Sequence, residues 1–142
     1  MLPLKPRFSL AVAAAAFAFA GLCHADTRET QERNFELFSR HAGPPIDEIR
    51  QFRFNRWQQL GDYAIGVWSN PGELYLVEVD RPCNGLDFAR NVGITSTQRV
   101  VAVRFDYVTF DKHQRCHITK IRPVDEKAMK AEMRDDEAAR DR

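Results

Sequence analysis

Tyr63-Ala64-Ile65-Gly66-Val67-Trp68-Ser69-Asn70-Pro71-Gly72-Glu73-Leu74-Tyr75-Leu76-Val77-Glu78-Val79 reads as two strands joined by a turn. Tyr63, Ile65 and Val67 share one face, because successive strand residues point to opposite sides. Trp68 falls on the other face. Asn70-Pro71-Gly72 places proline and glycine where a type II turn uses them. Leu74 to Val79 is apolar on both faces, which predicts a central strand. Just upstream, Phe52-Arg53-Phe54-Asn55 alternates apolar and polar as a half-buried strand does. Trp57 breaks that phase and predicts a bulge. Leu60-Gly61-Asp62 makes a tight turn. The three strands form an antiparallel meander.

Working outward, Pro82-Cys83-Asn84-Gly85 ends the meander. Leu86 to Val92 has room for two helical turns closed by Gly93, and Ile94 starts a short strand. Val100 to Phe110 is the longest β signal, with Val101, Val103, Phe105 and Tyr107 on one face. Lys112 to Gln114 is a turn, and Arg115 to Arg122 is the closing strand, ended by Pro123. Before the meander, Thr27 to His41 reads as a helix with Phe35, Leu37 and Phe38 on its apolar stripe. Ala42-Gly43-Pro44-Pro45 stops it. The pattern predicts a mainly β (α+β) fold. It is a small antiparallel β-barrel or roll of five to six strands, with an N-terminal helix and a short helix inserted after the third strand.

The ends divide the chain into three parts. Lys5 and Arg7 precede an apolar run from Phe8 to Leu22, followed by Cys23-His24-Ala25. That order reads as a signal peptide over residues 1–25, cut after Ala25. The run is shorter than the ~20 residues that span a bilayer as a helix. A competing reading makes Cys23 a lipidated residue. Lipoprotein signals place a small residue before that cysteine, and here it is Leu22. Residues 26–125 then form one β-rich domain, and 126–142 a charged tail, flexible or helical. With Lys5 and Arg7 removed, the 21 basic residues become 19 against 20 acidic ones. This balance gives no general pull towards nucleic acid or anionic lipid. In the tail, Ala128, Met129 and Met133 are isolated among charges, which predicts little burial.

Removal of residues 1–25 also leaves two cysteines, Cys83 and Cys116. In an oxidising compartment they most simply form one disulfide, worth roughly 3–4 kcal/mol on the chain-entropy account. Two buried free thiols are the other reading.

Signals for chemistry are few. His113 and His117 are four apart, but on a turn leading into a strand, where four residues span about 13 Å. That is too far for one metal, so no metal site is expected. The serines Ser39, Ser69 and Ser96 lie in no nucleophile motif. Carboxylate pairs occur at Asp47-Glu48, at Glu78 and Asp80, and at Asp106 and Asp111. They read as solvated strand ends rather than acid–base pairs. No phosphate loop, dinucleotide fingerprint or calcium loop is present, so no cofactor is implied. Arginines interleave with aromatics in the β region. Arg53, Arg56, Trp57 and Arg104 are the candidate binding residues.

The stretches Ala42-Gly43-Pro44-Pro45-Ile46-Asp47, Trp57-Gln58-Gln59-Leu60-Gly61-Asp62, Val67-Trp68, Pro82-Cys83, Gly93-Ile94-Thr95-Ser96, Phe105-Asp106-Tyr107-Val108, Cys116-His117-Ile118 and Ile121-Arg122-Pro123-Val124-Asp125 occur in that order. Through them the chain from Phe35 to Asp125 resembles an uncharacterised family of small exported bacterial proteins, of the domain of unknown function 6491 type. The resemblance implies a shared fold and a Cys83–Cys116 pair, and no activity. Many members of that family look lipid-anchored, and Leu22 departs from that pattern.

The functional expectation is an exported, non-catalytic module of the periplasm or the medium. It would bind an envelope protein or a small envelope component, with no nucleic-acid partner and no transmembrane segment in the mature chain. The alternative is a small periplasmic hydrolase using strand-end carboxylates or histidines. Processing is checked by intact mass. The exported protein should begin at Asp26, and a diacylated species beginning at Cys23 would overturn the soluble assignment.

Overall fold

The computed structural model describes residues 27–111 and 113–142. The expected signal peptide lies outside them. Helix α1 (Arg28–Arg40) starts at Thr27, whose hydroxyl caps the first turn by accepting the Thr30 amide. It ends before the Gly43-Pro44-Pro45 stop. Eight strands follow among the described residues: β1 (Glu48–Ile49), β2 (Arg56–Gln59), β3 (Ala64–Trp68), β4 (Leu74–Val79), β5 (Val92–Ile94), β6 (Val101–Ala102), β7 (Tyr107–Phe110) and β8 (Gln114–Val124). Helix α2 (Glu126–Arg140) closes the described chain.

Six strands make one antiparallel sheet in the order β2-β3-β4-β8-β7-β5. It curls into a nearly closed barrel. β1 and β6 pair as a separate ribbon. β8 is the spine of the fold. One of its edges pairs with β4, from Ile118 to Val124. Its other edge pairs with β7 from Gln114 to His117. It then receives the chain after α1, through Ala42 opposite Val124 and Ile46 opposite Ile121. Arg122 adds hydrogen bonds to the Gly43 and Ala42 carbonyls at 2.9 and 3.2 Å. The edges β2 and β5 do not pair. The Gln59 amide spans that opening to the Ala89 carbonyl at 2.8 Å.

Two apolar clusters lie on opposite sides of the sheet. Inside the barrel are Ile65, Val67, Val77, Val79, Val108, Phe110, Ile118 and Ile121, joined by Phe52, Leu86 and Val101. Outside, against the helices, are Phe38, Leu60, Ala64, Trp68, Leu74, Leu76, Val124 and Met129. β3 is therefore buried on both faces. Gly66 makes this possible: a Cβ there would stand 2.4 Å from the Phe38 ring. Trp68 organises the outer cluster. The Phe38 ring meets it edge-on at 6.0 Å. Its indole N–H donates to Glu126 of α2 at 2.9 Å. Arg56 lies over its ring at 4.0 Å.

The Cys83–Cys116 disulfide is formed and ties the loop after β4 to β8.

The structure corrects several expectations. Phe52–Asn55 is not a strand. The Phe52 amide bonds to the Arg99 carbonyl and the Arg53 amide to the Ser69 hydroxyl, so the segment meets the β2–β3 ladder only at Asn55, whose amide reaches the Trp68 carbonyl. The inserted helix is a single 3-10 turn, Leu86–Phe88, which follows β4 because the ribbon strand β1 precedes the meander. Leu86 is buried in the core while Phe88 is left in solvent, so the segment anchors at one residue only. Val100–Phe110 is not one strand but β6 and β7 with a turn between. The tail is helical, and Met129 is 4% exposed in the outer cluster. Isolation among charges did not prevent its docking, because one helical face needs only one anchor when ion pairs hold the rest.

Glu132 of α2 takes His41 and Arg40 from the end of α1 and so joins the two helices, while Glu126 pairs within α2 with Lys130 at 2.8 Å. The His41 and Arg40 hydrogen bonds hold the Glu132 carboxyl below the ordinary value of 4.5. For Glu126, burial pushes upward, but hydrogen bonds from Lys130 and Trp68 and the charges of Lys130 and Arg56 outweigh it, so it too lies low.

Two predictions follow from this packing. Gly66→Ala drives a methyl into the Phe38 ring and should cost about 1–3 kcal/mol, the range of overpacked cores. Chemical denaturation measures this, and Phe38→Leu in the same chain should recover part of the loss. A depressed carboxylate stabilises the state in which it is paired above its free value, and that support is lost as pH falls through the depressed value. Docking of α2 should therefore hold from neutral pH to 4.5 and weaken below it. Trp68 fluorescence in a Trp57→Phe chain reports it, and Glu126→Gln/Glu132→Gln should remove the acid step.

Candidate functional site

The turn between β6 and β7 has the features of a presentation loop. Asp106 interrupts the β run. Its carboxylate is buried and accepts the Ala102 amide and the Thr95 hydroxyl, both at 2.7 Å. Thr95 in turn accepts the Tyr107 amide at 2.9 Å. A short carboxylate side chain that captures backbone N–H groups competes with strand pairing. The chain therefore folds into a turn, closed by the Phe105 and Asp106 amides on the Ala102 carbonyl. The Val103 amide bonds to Asp47 and the Arg104 amide to Ile118, so the turn is fastened to β8 and to the chain leading into β1. Arg104 adopts φ 72°, a left-handed conformation that costs a non-glycine residue about 1–3 kcal/mol. The result is that Phe105 stands 81% exposed on a loop whose amides from Val103 to Asp106 are all bonded.

Around this knob lie two shallow depressions. One, of about 480 Å³, runs between the loop and Pro45, Ile46, Asp47 and Glu48, with Thr119 and Lys120 at its side. The other, about 290 Å³, holds Asp80, Arg104, His117, Ile118 and Thr119. Arg104 belongs to both. On the outer face of β7 and β8, Tyr107 and His117 are register partners and stack at 4.1 Å. Arg115 lies over Tyr107 at 4.7 Å, and Asp80 is 3.7 Å from His117 Nδ1. Neither helix covers this part of the sheet.

The candidate binding residues are not brought together. Arg104 sits beside Phe105, on a turn bonded to β8. Arg53 is exposed on the segment before β2, three strands away from β8. Arg56 is engaged with Trp68 and lies 3.6 Å from Glu126. Trp57 packs half-buried against the inner core. The histidines are also apart: His113 lies with Arg90, Asn91, Asp111 and Gln114, whereas His117 stacks on Tyr107. Ser96 is exposed, and Ser69 is buried with its hydroxyl accepting the Arg53 amide. Among the described residues no serine hydroxyl bonds to a histidine. No three His, Cys, Asp or Glu side chains among them are placed to hold a metal ion.

Phe105 is the residue that sequence reading missed, because periodicity put it on a buried face with Val101. The signal that would have found it is Asp106, a residue depleted in strands, in the middle of an apolar run.

The chain belongs to a family of unknown function (DUF6491), whose model matches residues 5–140. No curated protein matches it. No solved structure does either.

Proposed function

We propose that this chain is an exported, non-catalytic envelope module that docks a protein partner through the Arg104–Phe105 loop. The observation that carries the reading is an aromatic side chain held out of a rigid turn, next to a cation without an ion-pair partner among the described residues. Binding energy concentrates in such anchors, above all aromatic and arginine side chains, when little conformational freedom is left to lose. The shallow depressions beside the loop suit a protein surface better than a small molecule, which favours an enclosing pocket. The disulfide supports export, since such bonds persist in oxidising compartments. No helix among the described residues is long and apolar enough to cross a membrane. The hydrolase reading would have to use Asp80 and His117, but the imidazole is stacked on Tyr107 with no serine beside it.

A photoreactive phenylalanine analogue at position 105 tests this in the exporting cell. Illumination should give a discrete protein adduct that the same probe at position 54 does not give. Arg104→Glu should reduce its yield several-fold. Replacing Ser96 or His113 by alanine should leave it unchanged. Loss of the adduct in a folded His113→Ala or Ser96→Ala chain would refute the docking role.

A further inference from the structure

Phe88 and Phe105 are the most exposed large apolar side chains among the described residues, at 82% and 81%. They lie towards opposite ends of β7. Phe105 precedes Tyr107, which pairs with His117. Phe88 leads through Asn91 into Val92, which pairs with Phe110. Between α1 and the β2–β3 turn, with Asp87 at its edge, is a cleft of about 440 Å³. Phe35, Leu60 and Tyr63 form its apolar part, with the Phe35 and Tyr63 rings edge to face at 5.6 Å. Glu36, Asp62 and Asp87 border it and form no ion pair with another described residue. Glu32 is tied to Arg28 at 3.1 Å. The Tyr63 ring carries the Arg81 guanidinium at 3.5 Å, so the attraction for a cation rests on the carboxylates at the rim.

We propose that the Arg104–Phe105 knob of one molecule seats in this cleft of a second molecule, head to tail. The proposal rests on the docking role of that loop and names its partner as another copy of this chain. The chemistry matches on both sides: a phenyl ring beside an unpaired guanidinium meets an apolar floor beside three unpaired carboxylates. Because the knob, on the β6–β7 turn, and the cleft, on α1 and the β2–β3 turn, are different surfaces, the contact is heterologous. Each added molecule leaves one knob and one cleft free, so the assembly grows past the dimer, as a chain or as a ring where its two ends meet. A knob of two side chains buries far less than the ~1,200 Å² of a stable interface, so the association is weak and depends on concentration and salt.

Sedimentation velocity of the full exported chain tests this. The mean sedimentation coefficient should rise with concentration up to about 1 mM, the weak end of specific binding, and rise less at high salt. Phe105→Ala removes the knob and Asp62→Lys spoils the cleft. Each should sediment as a monomer throughout, with thermal melts showing that both are folded. An equal mixture of the two should form dimers and nothing larger, because only one knob–cleft contact remains between them. A monomeric parent chain, a mixture that stays monomeric, or a variant that associates like the parent overturns the proposal. If the parent is monomeric while the probe at position 105 crosslinks a different envelope protein, self-assembly falls and the docking role stands. If that probe crosslinks no protein, both fall.

Discussion

The ring of Phe38 occupies the space that a side chain on Gly66 would need. This contact lets α1 lie flat on the sheet, and much of the architecture depends on it. With the ring seated there, Phe38 can also meet Trp68 edge-on. Trp68 can then turn its indole N–H to Glu126 and receive Arg56 on its face. Helix α2 docks on a surface that α1 has already completed. A strand glycine that admits a neighbouring side chain trades intrinsic strand stability for close approach. Here the exchange is favourable because it buries β3 on both faces.

The second constraint is β8. It accepts β4 on one edge, and β7 and then the chain after α1 on the other. Eleven residues of one strand therefore connect both clusters, the ribbon and, through Cys116, the loop after β4. The turn carrying Phe105 is bonded to this same strand, since the Arg104 amide reaches Ile118 and the Ile118 amide reaches Asp106. Its rigidity comes from the most heavily paired element of the fold.

Sequence reading recovered what depends on local pattern. The β3–β4 hairpin follows from alternation and from the Asn70-Pro71-Gly72 turn, and α1 from its apolar stripe and proline stop. The cysteine pair was legible because only two cysteines follow residue 25. What failed depended on groups that satisfy the backbone from a distance. Phe52–Asn55 alternates like a strand, but its amides are taken by Arg99 and Ser69. Val100–Phe110 has strand composition throughout, yet Asp106 diverts it by accepting Ala102 and Thr95. Met129 reads as an isolated apolar residue until Trp68, Phe38 and Leu76 provide its surroundings. Of the candidate site, Arg104 was legible as an arginine among aromatics. The cleft beside α1 was not, because its residues come from three separate parts of the chain.

The two halves of the sheet solve the same problem differently. Over β3 and β4 the outer face is apolar, with Trp68, Leu74 and Leu76 covered by the helices. Over β7 and β8 it is polar, with Tyr107, His117 and Arg115 stacked on one another instead of on a helix. Such a surface is stable in water without a cover, so it makes no demand for a partner. Phe105 is different, because its ring gains nothing from the fold in which it stands. Asp106 is buried and Arg104 is held left-handed around it, so the chain bears a conformational cost to project a side chain that contributes no core packing. Gln51, Gln98, Arg99 and Asp111 also take positive φ, so what sets this turn apart is the exposed ring and not the backbone. The same reasoning separates Phe105 from Phe54, which is less exposed and has the Phe52 ring as its neighbour at 6.4 Å.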